Sequence, residues 1–232
     1  KNTISFLNST INTKYNLKEK LIIFESDNIH EGYDGNLSIN PFDLSLNIHL
    51  NNHKVSKLFN INPIVIEFIK SGLLFNENIS VNTLVNVNSN AKNEIFNNAK
   101  INFHIINGKI NFNKTKFFND DIGSLQVTNS NLFYKNKELV FSGDILVDIK
   151  NSENLFSFLD TNKSSRKDFK TILINLEYNF LSNKIKFNNL KIDNNEVNKQ
   201  FLTIIDGFNN NNFNNLINSR RLLNELLKAY SG

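Results

Sequence analysis

The alternation of apolar residues between Ile101 and Ile149, broken only at turn-forming dipeptides, is the strongest constraint this chain places on its own fold. Taking Asn107-Gly108 as a two-residue turn sets Ile105 opposite Ile110 and Phe103 opposite Phe112, so both strands turn their apolar side chains to one face. Asn136-Lys137 does the same downstream. Tyr134 then meets Leu139, Leu132 meets Phe141, and Lys135 and Glu138 form an opposite-charge pair at the neck. The next strand keeps one parity through Leu139, Phe141, Gly143, Ile145, Val147 and Ile149, a run of 11 residues that extends roughly 36 Å at about 3.3 Å per residue. A strand of that length predicts a broad antiparallel sheet of hairpins with one greasy face.

The rest of the chain extends this pattern. Apolar parity flips between Val127 and Leu132, which places a bulge near residues 129–131. Upstream, Leu21 to Phe24 reads as a buried strand, and Leu37 and Ile39 alternate before Pro41-Phe42 breaks the run. Leu44, Leu46, Ile48 and Leu50 then alternate up to a turn at Asn51-Asn52. Asn62 and Pro63 open a short helix with Val65, Phe68 and Ile69 on one face and Gly72 as its stop, and a strand follows from Ile79 to Val87. Ser152 caps a second short helix carrying Leu155, Phe156 and Leu159. A third hairpin turns at Ser182-Asn183, with Phe180 opposite Ile185 and Tyr178 opposite Phe187. Beyond Asp193 the period becomes helical. A helix over 197–208, an Asn-rich linker over 209–215 and an amphipathic helix over 216–230 follow, the last with Leu216, Leu223, Leu227 and Tyr230 in a stripe and Arg221 and Glu225 in support. The expected division is a β domain over 1–195 and a helical cap over 196–232.

Asn fills about a fifth of the 232 positions, and with Lys, Ile and Phe it marks the bias of an AT-rich coding sequence. Function is not read from that abundance, although the 21 Phe rings supply much of the packing bulk. The net charge of +4 is spread among 22 acids. Its nearest approach to a cluster is Lys163, Arg166, Lys167 and Lys170, a run that reads as a solvated loop, so nucleic acid is not an expected partner. The absence of Cys excludes a disulfide framework and thiolate metal sites. No apolar run approaches the ~20 residues of a spanning helix, and with no initiating Met the chain is expected to be part of a longer protein whose targeting element lies upstream.

Sites of chemistry are sparse. The four histidines are His30, His49, His53 and His104; His49 and His53 have a helical metal-pair spacing, but the flanking alternation is that of a strand, which separates them, and exposed strand and turn histidines are the better reading. Asp144 and Asp148 share a face, the one opposite the apolar run, where solvation accounts for them; Asp120 and Asp121 are adjacent. No nucleophile elbow, P-loop or dinucleotide fingerprint occurs, and a Ser/His/Asp triad has no local context in its favour. The expectation is a protein that is not an enzyme, without metal or cofactor. Its apolar face then has two readings, the core of a sandwich or a trough that takes acyl chains.

The order of several short features resembles the C-terminal part of AsmA-like proteins of Gram-negative bacteria. They are Tyr33-Asp34-Gly35 leading into Pro41-Phe42-Asp43-Leu44, Ile106-Asn107-Gly108-Lys109-Ile110 with Thr115, and Ser130-Asn131-Leu132-Phe133-Tyr134. After them come Leu139 to Ile149 with Gly143, Arg166 in a basic loop, Asn179 to Phe187, Ile192-Asp193, and Lys228-Ala229-Tyr230-Ser231-Gly232. The resemblance implies a periplasmic protein anchored in the inner membrane by an upstream segment, built as a long curved antiparallel sheet whose hydrophobic groove carries phospholipid between inner and outer membranes. It brings no catalytic residues. The groove candidates come from the alternation: Phe103, Ile105, Ile110, Phe112, Leu139, Phe141, Ile145, Val147, Ile149, Ile174, Leu176 and Tyr178. The alternative expectation is a non-catalytic periplasmic scaffold for outer-membrane assembly that works through protein partners.

Overall fold

A computed structural model describes residues 2–6, 9–28, 31–59, 67, 69–91, 94–182, 184–197, 199–208 and 216–231. The protein is mainly β, built of mostly antiparallel hairpins with short helices and two helices at the C-terminal end. It divides into two compact units, one of residues 1–117 with 131–133 and one of residues 118–130 with 134–232. Residues 196–232, expected as a helical cap, belong to the second unit.

In the first unit the strands follow one another in space as in sequence: β1 (Asn2–Phe6), β2 (Ser9–Lys18), β3 (Leu21–Ser26), β4 (Gly32–Ile39), β5 (Phe42–Asn51), β6 (Ile79–Asn88), β7 (Asn98–Ile106) and β8 (Lys109–Asn111). Asn107 and Gly108 both have positive φ, 51° and 67°, the geometry of a type I′ turn, and Ile105 pairs with Ile110 as the alternation requires. Strand pairing stops at Asn111, one residue short of Phe112, yet the Phe103 and Phe112 rings still meet at 5.4 Å. Past that point the buried Thr115 hydroxyl replaces the ladder, accepting from Asn102 N and donating to Asn102 O.

One pairing departs from the expected antiparallel order. β5 and β6 are parallel, in register from Phe42↔Ile79 to Asn51↔Asn88. A parallel neighbour needs a crossover, and residues 52–78 supply it, with short 3-10 turns at Val55–Phe59 and Leu73–Phe75. Asn62, Pro63, Val65 and Phe68 of the expected helix lie outside the described residues; Ile69 and Lys70 are helical, and Gly72 at φ 80° ends the segment. Leu21 to Phe24 does form a strand, but one that is half exposed on both faces rather than buried.

The second unit pairs β10 (Gly123–Lys135), β11 (Glu138–Ile149), β12 (Thr171–Asn179), β13 (Lys184–Ile192) and β14 (Asn195–Glu196) in that order, with β9 (Lys116–Asn119) preceding them. Asn136 and Lys137 both have positive φ, as a two-residue turn demands. Within β10 the buried positions change from Val127 to Ser130 and Leu132, and Asn129 at φ 50° is the kink that carries the flip. The third hairpin turns earlier than expected: Asn179 Oδ1 accepts from Leu181 N and Ser182 N, so the turn opens at Asn179 and Phe180 leaves the strand. Tyr178 therefore pairs with Ile185 and Leu176 with Phe187, a two-residue slip that keeps these four side chains on their expected face, and a bulge at Asn188 then shifts the register so that Ile174 meets Leu190.

Helix α1 (Ser152–Leu159) is capped by Asn151, whose side chain accepts from Asn154 N, one residue before the expected Ser152. It buries Leu155, Phe156 and Leu159. Helices α2 (Lys199–Phe208) and α3 (Leu216–Ser231) follow; the linker over 209–215 lies outside the described residues. The buried side of α3 keeps part of the expected stripe, since Leu227 is enclosed and the Tyr230 ring meets Phe169 at 5.9 Å; the side chain of Leu216 lies outside the described residues. Leu227 and Ala229 are enclosed while Leu223 faces outward, because Asn224 turns inward to accept from Thr161 Oγ1 at 2.6 Å and donate to Leu159 O at 2.8 Å.

Candidate functional site

Strand register, followed from partner to partner, lines the apolar residues of the first unit into continuous rows. One row runs Leu17, Ile22, Leu37, Leu44, Val81, Ile105, Ile110 and Leu132, each paired with the next across eight strands. A second runs Tyr15, Phe24, Gly35, Leu46, Thr83 and Phe103. The opposite face is polar, and the row Asn36, Ser45, Asn82, His104 and Asn111 shows where part of the Asn excess goes. Asn47 there donates to Asp34 at 2.9 Å. The sheet is thus two-sided in chemistry, as period-2 alternation dictates.

Exposure along the first row is graded. Leu17 is 64% exposed; Ile22, Leu37 and Leu44 are half-buried; Val81 falls to 8%, Ile105 and Ile110 to 0%, and Leu132 to 2%. At the β8 side the crossover comes close, its Leu73–Phe75 turn reaching Gly108. Val55 is buried, Phe96 and Phe117 stack their rings at 6.3 Å, and a Cβ on Gly108 would stand 2.7 Å from Phe75 O. At the opposite end of β6 and β7, Glu94 ties the crossover to the loop before β7 by accepting from Val55 N at 2.9 Å, Ser56 N at 3.0 Å and Ser56 Oγ at 2.5 Å. Burial pushes the Glu94 carboxyl up, but those bonds, with one from Ser89, outweigh it and hold it below its ordinary value.

The twelve groove candidates separate on these terms. Ile105 and Ile110 are core side chains, and Phe103 and Phe112 flank them half-buried. In the second unit Phe141 pairs with Tyr178 and Ile145 with Ile174; Val147 and Ile149 continue β11, and all six are half-buried. Leu139 and Leu176 are buried. Gly143 pairs with Leu176 without a bulge. Its notch is filled by the Phe141 ring, 3.1 Å from where a Cβ would stand. Sequence reasoning passed over the half-open positions of the first unit: Tyr15, Leu17, Ile22, Phe24, Leu37, Leu44 and Leu46. The alternation at Leu44 to Leu50 carried that signal, but only the register of five further strands turns it into a surface.

The remaining candidates are accounted for by local partners. Asp144 accepts from Asn129 Nδ2 at 2.7 Å and Asn175 Nδ2 at 2.6 Å on the polar face. His53 meets Glu31 at 2.6 Å and His49 lies 3.9 Å from Asp34; His30 lies outside the described residues. Among the described residues no three His, Cys, Asp or Glu side chains gather as a metal would need. Arg166 pairs with Glu153 at 3.1 Å, Lys167 sits 4.6 Å above the Tyr230 ring, and the Lys170 charge acts on Asp193, so three of the four basic residues are engaged within the chain. A cleft of about 530 Å3 in the second unit is lined by Ser164, Ser165, Gln200, Ile204, Glu225 and Lys228 among others. No described helix is long and apolar enough to cross a membrane. Comparison of the chain with protein-family models, with curated proteins and with solved structures returns no match.

Proposed function

We propose that this chain is a non-catalytic lipid-accommodating segment, which holds phospholipid acyl chains along the apolar face of its first unit. The observation that carries the reading is the graded row from Leu17 to Leu132: one apolar face, closed at β6 to β8 and open across β2 to β5. An acyl chain laid on the open part removes apolar area from water at about 25 cal/mol per Å2, while its headgroup stays at the hydrated rim. The resemblance to AsmA-like proteins supplies the setting proposed for it, the periplasm of a Gram-negative cell, on a parent anchored in the inner membrane and moving phospholipid toward the outer membrane.

A fluorescent acyl-chain probe tests the reading. The wild-type chain is expected to bind it with saturation, and Leu46→Asp, which places a carboxylate in the middle of the open rows, is expected to weaken binding at least about tenfold. Leu46 is half-buried between Gly35 and Thr83, so circular dichroism checks that the fold persists. Equal binding by the two proteins would end the assignment of this face, and the protein-scaffold reading would take its place.

A further inference from the structure

The two ends of the first unit's sheet differ in chemistry. At one end polar partners close the loops: Glu31 with His53, Asn12 with Asp27, Asn90 with Asn52, and Glu94 with residues 55–56. Among the residues whose side chains are described no large apolar group is exposed there; Ile4, Phe6 and Ile11 fall outside them. The other end carries the Glu19-Lys20, Asn40-Pro41 and Asn107-Gly108 turns and the Leu73–Phe75 turn. On it Ile39 is 60% exposed, Phe42 40%, Leu73 62% and Ile106 53%. Ile39 pairs with Phe42 and Phe42 with Ile79, so this end is also the last row of the apolar face.

We propose that this end inserts into the surface of a zwitterionic phospholipid bilayer, from which acyl chains pass onto the adjoining row at Leu37 and Leu44; the proposal rests on the reading of that face as the lipid site. The shape of the patch selects the occupant. Its side chains are spread over three turns, Ile39 and Phe42 flanking one while Leu73 and Ile106 stand on two others, with strands about 4.8 Å apart and the polar Asn40, Asn107 and Lys109 between them. By alternation Ile106 lies on the face opposite Ile39 and Phe42, so apolar groups flank the tip on both sides of the sheet. A fluid acyl interior receives side chains at any spacing and from both sides, whereas a folded partner needs a socket for each. Charge at this end balances, with Lys18, Lys20, Lys70 and Lys109 against Glu19, Asp43, Glu67 and Glu77. Insertion therefore follows apolar area rather than anionic headgroups, and the lysine stems lie along the interface.

Co-sedimentation of the full chain with phosphatidylcholine vesicles tests this. The double variant Leu73→Asp/Ile106→Asp, at two exposed positions, is expected to lose at least about tenfold in partition while binding the acyl probe as wild type does. Phe42→Trp, in a chain without Trp, is expected to shift its emission to the blue on vesicles and to be quenched by lipids brominated in their acyl chains. The proposal is overturned if wild type binds the probe but not the vesicles, if the double variant partitions normally, or if binding requires anionic lipid. Lipid-free self-association of wild type that the double variant abolishes would also overturn it, assigning the tip to a second copy. A chain that binds vesicles through these tips but takes no probe keeps the docking end and removes the lipid-face reading.

Discussion

Phe24 lies over Gly35 across the β3–β4 ladder, and Phe141 lies over Gly143 within β11, so both glycines are covered by a ring. The two positions differ in what a methyl group would meet. At Gly35 a Cβ would stand 2.2 Å from the backbone Ser45 O, which cannot retreat without breaking the ladder; at Gly143 the nearest atom is the movable Phe141 ring at 3.1 Å. Gly35→Ala is therefore expected to cost about 1–3 kcal/mol and Gly143→Ala under about 1 kcal/mol, measured by urea unfolding. Equal costs would show that the Phe141 ring is as fixed as the backbone. The notch at Gly143 is visible in the sequence as a gap in an apolar row. What fills it is not, because the ring comes from the same strand and its rotamer is set by packing.

Asp193 ties an element's end together. Its carboxylate accepts from Lys170 N and Thr171 N at 2.8 Å each, and its own N donates to Thr171 O, so the β13–β14 turn, the start of β12 and the loop before it share one anchor. Burial pushes the Asp193 carboxyl up, but the bonds from Thr171 and Lys170 and the Lys170 charge hold it below its ordinary value. A carboxyl depressed in the folded state stabilises it above the unfolded value of about 3.9, and that contribution is lost as the pH falls through the folded value. Asp193→Asn retains the acceptor and tolerates the turn's φ of 48°. It is expected to melt about 2 °C lower at pH 7 and to converge with wild type as the pH drops below about 4. A gap that persists in acid would assign the difference to shape rather than charge. At this scale the sequence was most readable where turn chemistry is local, as at Asn107-Gly108 and Asn136-Lys137. It was least readable at β5/β6, whose parallel pairing depends on a crossover with no signature of its own, and at Asn179, whose side chain moved a turn expected at Ser182.

Across the whole molecule, alternation made the mainly β, largely antiparallel architecture legible, including the change of parity at Asn129. The candidate site was legible only in part. Ile105 and Ile110 satisfy the pattern of a groove lining as well as Leu44 and Leu46 do, and alternation carries no information on which stretch of a face is covered. Part of the cover comes from the crossover, whose Phe75 carbonyl closes on Gly108, and no periodicity marks that approach. Native mass spectrometry, with lipid extraction, of the 232-residue chain purified from a Gram-negative periplasm beside its Leu46→Asp variant would decide whether the open face holds lipid. Phospholipid is expected bound to the wild-type chain and lost from the folded variant. A folded wild-type chain that carries no lipid, or a variant that carries as much, would contradict the lipid reading of that face.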